Sequence, residues 1–270
     1  MATLGGLIKD YRIQKRLSQL EIATKVGWSD TSRLSKIEQG RTYKPSRAVV
    51  EKILDALELS ESERNEALLA GSYVPTENEI KKAVRELSEK LNSWRYPAYM
   101  IDFTWRVVAS NVPDAKTFYI PSNFDFLKNN FNLLEFPFQP KSSLPIEIFK
   151  GEDAKTMEPL ALAHVAEFKI EQHMRSNETW YQKLISKLMK NEIFREHWSK
   201  DSLTFYNKKL LDYRYKEVKG NWTGKRQTLK FHIFNSELVS DPRFIMVLYL
   251  PADKETEEFY TKKLYLKVKI

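Results

Sequence analysis

Residues 17–40 read LSQLEIATKVGWSDTSRLSKIEQG, and this stretch decides the fold of the first part of the chain. Ser18, followed three residues later by Glu21, is a capping box that predicts the start of a short helix. Leu20 and Ala23 lie on one face of that helix, where a small residue allows a second helix to cross closely. The first half of the stretch therefore predicts a short helix that packs against a neighbour.

The second half of the stretch predicts a tight turn and another helix. Gly27 suits a turn that a side chain would obstruct. Ser29 or Asp30 then caps the second helix, and the spacing of Leu34 and Ile37 predicts that both point into the core. Together the two halves predict a helix-turn-helix.

The stretch resembles the helix-turn-helix of the Cro/C1-type (xenobiotic-response-element) repressor family. The resemblance implies that the second helix lies in the major groove of a double-stranded DNA operator and that the first helix crosses the backbone. At 100° per residue, the outward face opposite Leu34 and Ile37 carries Ser32, Ser35, Lys36 and Gln39. The predicted DNA-binding residues lie on this face, on its flanks or in the family's phosphate-contacting position: Gln19, Thr31, Ser32, Arg33, Ser35, Lys36, Arg41 and Lys44.

These residues are expected to have two kinds of role. Arg33 is suited to reading guanine, whereas short hydroxyl groups can read several base edges. Gln19 is expected to donate to a phosphate, as the family's Gln does, and Lys36, Arg41 and Lys44 are better suited to neutralising phosphates. Residues 15–47 contain eight Lys or Arg against three acids, so the positive charge is concentrated on the motif, as a DNA-facing surface requires.

The remainder of residues 1–75 predicts an all-α domain of five helices. Leu7, Ile8 and Tyr11 share a helix face before the motif, and a helix is expected to begin near Pro45. Ser60 and Glu63 suggest a further capping box, with a last helix that ends at Gly71.

Composition restricts the function classes. The chain has 270 residues, a net charge of +8 and no cysteine, so disulfides and thiolate catalysis are excluded. No secretory signal is visible, and the longest apolar run, 244–250, is far too short to span a membrane. The four histidines lack metal-site spacing, and no glycine-rich phosphate loop is present. We expect a cytoplasmic protein that is not an enzyme, with no metal, no cofactor and no membrane partner.

Residues 76–96 are predicted to form a linker helix that connects the first domain to everything downstream. Ile80, Val84, Leu87, Leu91 and Trp94 recur on one face of this helix. The face can pack on the helix's own domain, or it can form a short dimer seam.

Residues 97–270 predict an α+β domain with an antiparallel sheet. Two strands, 98–103 and 105–110, are expected to join tightly at Thr104, and further strands are expected at 203–206, 211–216, 228–234 and 244–250. Helical stretches at 159–175 and 178–198 separate the two sets. Helices inserted between the second and third strands are the arrangement of a PAS-like sensor domain.

The second domain carries a resemblance of its own. Residues 96–102 (YPAYMID), 105–111 (WRVVASN) and 193–198 (IFREHW) resemble parts of the MmyB-like ligand-binding domain, a family that pairs this domain with a Cro/C1-type helix-turn-helix. The resemblance implies a PAS-like pocket for a small apolar ligand, with a long-chain fatty acid as one possibility. The candidate ligand-binding residues are aromatic residues and arginines that could meet a carboxylate: Tyr99, Trp105, Phe118, Phe131, Arg106 and Arg214.

The phenylalanines of residues 118–138 have a second interpretation. They crowd a segment with little periodicity, so they could cover a pocket, or they could simply form core. Arg175 is a further candidate for a cation at the mouth of a pocket.

Two functional hypotheses follow. The first is a homodimeric, sequence-specific transcriptional regulator whose ligand modulates DNA binding. The alternative is a constitutive repressor or antitoxin-like DNA binder whose second domain serves only dimerisation or protein contact. An enzyme with a DNA-binding head is a weaker third possibility, because no catalytic constellation is visible.

Overall fold

The computed structural model of the chain describes residues 3–42, 44–118, 120–138, 154–200, 215–220, 222 and 227–263, without the side chains of 154–160, 215–216, 220 and 263. The chain divides into two compact units. Unit 1 comprises Met1–Pro75 together with Glu237–Arg243, and unit 2 comprises Thr76–Ser236 together with Phe244–Ile270.

Unit 1 contains the five predicted helices. They are α1 (Leu4–Gln14), α2 (Gln19–Val26), α3 (Ser32–Glu38), α4 (Arg47–Ala56) and α5 (Glu61–Ala70). The core of the unit is formed by apolar residues from all five helices, among them Ile8, Ile22, Leu34, Ile53 and Leu68.

Local signals set the ends of these helices. The predicted capping boxes at Ser18 and Ser60 are both present. Gly27 ends α2 in the left-handed conformation, with φ of 83°, where a side chain would be strained. A Cβ atom at Gly5 would lie 2.2 Å from the carbonyl oxygen of Ile37. Gly5 therefore permits the close crossing of α1 and α3.

Two details of unit 1 differ from the predictions. Leu20 was predicted to share the packing face of α2 with Ala23, but the residue is 60% exposed, and Ile22 fills the core beside Ala23 instead. Helix α4 begins at Arg47 with Ser46 as its N-cap, so Pro45 precedes the helix. The first difference arises because a helix as short as α2 fixes its rotation through contacts with its neighbours.

The segment Glu237–Arg243 belongs to unit 1 through hydrogen bonds to α5. The fully buried Arg243 donates to both carboxylate oxygens of Asp241, at 2.9 and 2.8 Å, and to Oδ1 of Asn65 at 2.9 Å. Asn65 in turn donates to the carbonyl oxygen of Ser240 at 2.9 Å. The prediction had placed the whole of 97–270 in the second domain. The chain passes between the units three times, so the helix within 76–96 is one of three covalent connections.

Unit 2 is built on a five-stranded sheet. Its strands are β1 (Ala98–Asp102), β2 (Val107–Ser110), β3 (Tyr215–Gly220), β4 (Gln227–Glu237) and β5 (Phe244–Pro251), in the spatial order β2-β1-β5-β4-β3. The pairs β1/β2, β1/β5 and β3/β4 are antiparallel. The predicted antiparallel sheet is therefore confirmed.

Helices are present in both regions where the sequence predicted them, the linker 76–96 and the part of the chain between β2 and β3. The helix α6 (Glu77–Ser93) opens the unit. Five described helices lie between β2 and β3: α7 (Val112–Thr117), α8 (Phe126–Asn129), α9 (Ala154–Gln172), α10 (Thr179–Leu188) and α11 (Glu192–Ser199). Helices α9 to α11 correspond to the predicted stretches 159–175 and 178–198, whereas α7, α8 and a short helix after β5, α12 (Lys254–Glu258), were not predicted. The helical stretch predicted at 178–198 is divided into α10 and α11. Asn191 caps α11 by accepting from the N–H of Phe194 at 3.0 Å, and this local bond ends the continuity.

The later strand predictions have mixed outcomes. The strands predicted at 228–234 and 244–250 correspond to β4 and β5, each slightly longer than predicted. The strand predicted at 203–206 lies outside the described residues, and so does most of 211–216, whose last two residues open β3.

Helix α6 packs against β2 of its own unit. Ile80, Ala83 and Leu91 are buried, whereas Val84 and Leu87 are half-buried. The end of the helix is held by Asn111, whose side-chain amide donates to the carbonyl oxygens of Leu91, Trp94 and Tyr96. The apolar face thus serves mainly its own unit. No described helix is long and apolar enough to cross a membrane.

Candidate nucleic-acid interface

Helix α3 presents a polar face outward from unit 1. Leu34 and Ile37 are buried as predicted, and Ser32, Lys36 and Gln39 are exposed on the other side. The first turn of the helix is stabilised by Asp30, whose Oδ1 accepts from the N–H of Ser32 at 2.7 Å. That hydrogen bond lowers the pKa of Asp30.

The two halves of the motif are joined by a buried carboxylate at the end of α3. Glu38 accepts from Arg12 of α1 at 2.6 and 2.9 Å, and from the side-chain amide of Gln19 at 2.8 Å. Burial raises the pKa of Glu38, but the hydrogen bonds from Arg12 and Gln19 outweigh it, and the pKa is lowered overall. The same interaction raises the pKa of Arg12. Gln19 is therefore held in place at the start of α2, half-buried.

Arg33 lies in the first turn of α3, and its guanidinium lies over an aromatic ring. Its guanidinium carbon is 5.0 Å from the centroid of the Trp28 ring, which is within the range of a cation–π interaction. Arg33 is exposed and Trp28 is half-buried against the core of unit 1.

The remaining predicted residues surround this face. Thr31 is the N-cap residue of α3 and half-buried, and Ser35 accepts from the side-chain amide of Gln39 at 2.9 Å. Arg41 is exposed just beyond Gly40, whose φ is 67°. Lys44 is exposed as a residue, but its Nζ donates to the carbonyl oxygen of Ser72 at 3.3 Å and lies over the Tyr73 ring. Lys44 is thus engaged with its own unit, unlike Lys36 and Arg41, which are simply exposed.

Comparison with known proteins bears on this unit alone. Residues 3–67 match a family described as a helix-turn-helix domain. No curated protein matched the chain. The matched residues run from the start of α1 into α5 and include the whole of the polar face of α3. A helix-turn-helix domain places its second helix in the major groove, and this match implies that the protein binds DNA.

The sequence reasoning missed three residues that shape this face. Arg12 and Glu38 lie on different helices, 26 residues apart, and apolar spacing carries no signal for an ion pair between them. Trp28 follows the turn glycine directly, a position where a hydrophobic residue commonly packs back on the helix that has just ended. That position was a usable signal.

The ligand-binding residues predicted in unit 2 share one apolar core. Trp105 and Phe118 are buried within it, and Tyr99 and Phe131 pack against it. The indole N–H of Trp105 donates to Glu171 at 2.9 Å. The rings of Tyr99 and Phe118 both contact Tyr249, at centroid distances of 6.1 and 6.0 Å.

The predicted cations of unit 2 are engaged or lie beyond the described residues. Arg106 donates from Nε and Nη2 to Oδ2 of the fully buried Asp102, at 3.0 and 2.8 Å. Arg175 is buried, with its guanidinium over the Phe103 ring. Arg214 lies outside the described residues. Arg106 therefore neutralises the buried carboxylate of Asp102, which is a structural role.

Proposed function

We propose that this protein is a sequence-specific transcriptional regulator that binds its operator as a homodimer through α3 of unit 1. The observation that carries the proposal is the outward face of α3, where exposed polar side chains stand on a helix whose other face is fully packed. Short hydroxyls, an amide and an Arg at these positions have the donors and acceptors that base edges require.

The charge of the face supports the same proposal. Lys36 and Arg41 are exposed beside the residues suited to base contacts, so they can neutralise phosphates while the others read bases. Two copies of the unit would meet half-sites about one helical turn apart.

Selection from a randomised double-stranded DNA library, with the full-length chain, tests this function. We expect a palindromic site to be enriched, because a two-fold symmetric dimer binds two inverted half-sites. With about six phosphates neutralised per dimer, affinity for that site should fall on the order of 10³-fold between 50 and 200 mM salt. A library that stays random after selection, or an affinity that does not respond to salt, contradicts the proposal.

We further propose that unit 2 is a PAS-like domain that binds a small apolar ligand, such as a long-chain fatty acid, and so modulates DNA binding. The support is the sheet with helices inserted between its second and third strands, together with an interior rich in aromatic side chains. In this proposal the protein acts by binding and not by catalysis.

The alternative, a constitutive repressor or antitoxin-like DNA binder, has an observation in its favour. The rings of Phe124, Phe126, Phe131 and Phe136 contact one another, with centroid distances between 5.0 and 6.3 Å. Rings that pack edge to face against one another can form a hydrophobic core without a ligand.

Native mass spectrometry of the full-length protein, before and after addition of palmitate, separates these two functions. A bound mass that shifts operator affinity supports the sensor. Operator affinity that is the same with and without palmitate, in a protein that retains no small molecule from the cells that produced it, supports the constitutive binder.

A further inference from the structure

The position of Trp28 is fixed by the turn that ends α2. Its N–H donates to the carbonyl oxygen of Ala23 at 2.8 Å, and the N–H of Gly27 donates to that of Thr24 at 3.0 Å. This is the pattern of a Schellman motif, in which the residue after the glycine is turned back toward the helix. These hydrogen bonds fix the backbone of Trp28, and the packing of its ring against the core restricts its side chain.

The position of Arg33 relative to that ring is fixed almost as closely. Only four residues separate the two, and Asp30, one of them, bonds to the first turn of α3. The guanidinium lies 5.0 Å from the ring centroid. A long Arg side chain ordinarily has many rotamers to lose on binding. The contact with Trp28 removes part of that freedom before any partner arrives.

This contact leaves the hydrogen-bonding chemistry of Arg33 intact. A guanidinium carries its five N–H donors along its planar edges, and its attraction to an aromatic ring comes from its charge and requires none of those donors. The edges can still donate two parallel hydrogen bonds to a planar acceptor. In the major groove that acceptor is the O6 and N7 pair of guanine.

We propose that Trp28 is a positioning residue which holds Arg33 for bidentate recognition of a guanine, so that the pair determines base specificity at one position of each half-site. This inference rests on the proposed function of α3 in DNA binding. Residues in the first turn of a recognition helix are those that contact base edges, and Arg33 is the second residue of α3. A phosphate contact would need the charge of Arg33 but no fixed plane.

The test begins from the site selected by the parent protein and from variants of that site in which each base pair is changed singly. The affinities of the parent, Arg33→Ala, Arg33→Lys, Trp28→Phe and Trp28→Leu proteins, and of the Trp28→Leu/Arg33→Ala double variant, are measured on each DNA. Thermal unfolding of each full-length variant shows whether unit 1 remains folded. Trp28→Phe is the matched control, because it keeps a ring face in the same place.

We expect Arg33→Ala to lose about five- to one-hundred-fold of discrimination at one guanine and little elsewhere. Arg33→Lys should lose the same discrimination while keeping most of its overall affinity, because it keeps the charge without the fork. Trp28→Leu should lose about two- to five-fold at that guanine alone, and Trp28→Phe less. In the double variant the loss due to Trp28→Leu should disappear, because Arg33 is no longer there to be positioned.

Three outcomes overturn the inference. If Arg33→Ala weakens all DNA sequences equally, Arg33 is a phosphate contact, and the proposed function survives because a site was selected. If Trp28→Leu and Trp28→Phe reduce affinity at every position, or if the effect of Trp28→Leu persists without Arg33, Trp28 serves only the core. If the parent selects no site, the proposed function fails and the inference fails with it.

Discussion

Units 1 and 2 use their polar and aromatic side chains in opposite ways. In unit 1 the outward face of α3 exposes polar groups, and one aromatic ring, that of Trp28, lies beneath an exposed Arg. In unit 2 the aromatic rings of 124–136 contact one another. Asp102 is fully buried there, and its carboxylate accepts hydrogen bonds from the turn that follows β1. The difference teaches that residue type alone does not mark a binding site. What matters is how much of each side chain remains exposed after its contacts within its own unit have formed.

The largest expected effect is on unit 2 and tests whether Asp102 is wholly a fold residue. Asp102 accepts from the N–H and hydroxyl of Thr104 and from Arg106. Asp102→Ala should lower the free energy of unfolding by about 3–5 kcal/mol, because it leaves the charge of Arg106 without its partner. Chemical denaturation of the full chain measures this. The exposed Glu86→Ala is the control, expected within about 0.5 kcal/mol of the parent. A cost below about 1 kcal/mol for Asp102→Ala would mean that the fold does not need Arg106 as the partner of Asp102, and Arg106 could then bind a ligand carboxylate.

The second effect is on DNA affinity and tests whether the face of α3 is free for a partner. Ser32→Glu places a carboxylate in the first turn of α3, where it opposes DNA phosphates but suits the helix dipole. Operator affinity should fall at least about 100-fold while the unfolding free energy stays unchanged or rises slightly. Ser32→Ala should bind within a few-fold of the parent. Gel-shift titration measures both, and near-parental binding by Ser32→Glu would remove α3 from the interface.

The third effect concerns the one buried carboxylate that belongs to the motif itself. Glu38→Gln should cost unit 1 about 1–2 kcal/mol, because charge-assisted hydrogen bonds from Arg12 and Gln19 are weakened. The folded-state pKa of Glu38 is lowered, so its contribution is complete above about pH 4.3 and is lost as pH falls through the folded-state value. The gap in stability between parent and variant should therefore narrow from pH 6 to pH 3.

Hydrogen exchange of α1 and α3 peptides in the full-length protein measures that gap, and Glu51→Gln, at a more exposed ion pair, is the control. A gap that is constant with pH would show that the ionised form of Glu38 is not what holds the two helices.

The smallest expected effect is on α6, where the two alternatives for its apolar face can be separated. Leu91 is buried within unit 2, but Leu87 is only half-buried. If its exposed part forms a dimer seam, Leu87→Ser should weaken self-association several-fold while changing the unfolding free energy of the chain by about 1 kcal/mol or less. Sedimentation of the parent, Leu87→Ser and the exposed control Lys90→Ser decides the matter. Identical association of all three would assign the whole face to unit 2.

Much of unit 1 followed from the sequence because its signals are local. A capping box needs two residues three apart, and a left-handed helix end needs one glycine, so Ser18, Glu21 and Gly27 were recognisable without knowledge of the rest. The rotation of α2 is not predictable from eight residues, and the exposure of Leu20 therefore does not follow from the sequence.

Unit 2 was predicted less completely because its organisation depends on partners distant in the chain. Runs of residues that favour strands indicated β4 and β5, but the place of β5 beside β1 arises from pairing across about 150 residues. The division of 178–198 into two helices does have a local signal, because Asn191 is a residue type that favours the N-cap position it occupies before α11.

The sequence by itself determined the helix-turn-helix, because capping, turn and burial patterns at 17–40 all act within a few residues of one another. The tertiary structure alone decided that Glu237–Arg243 belongs with α5, that Arg106 balances Asp102, and that Trp28 lies against Arg33. Each of these depends on the distance between side chains whose placement is set by packing. Packing is a property of the whole fold, and no window of sequence contains it.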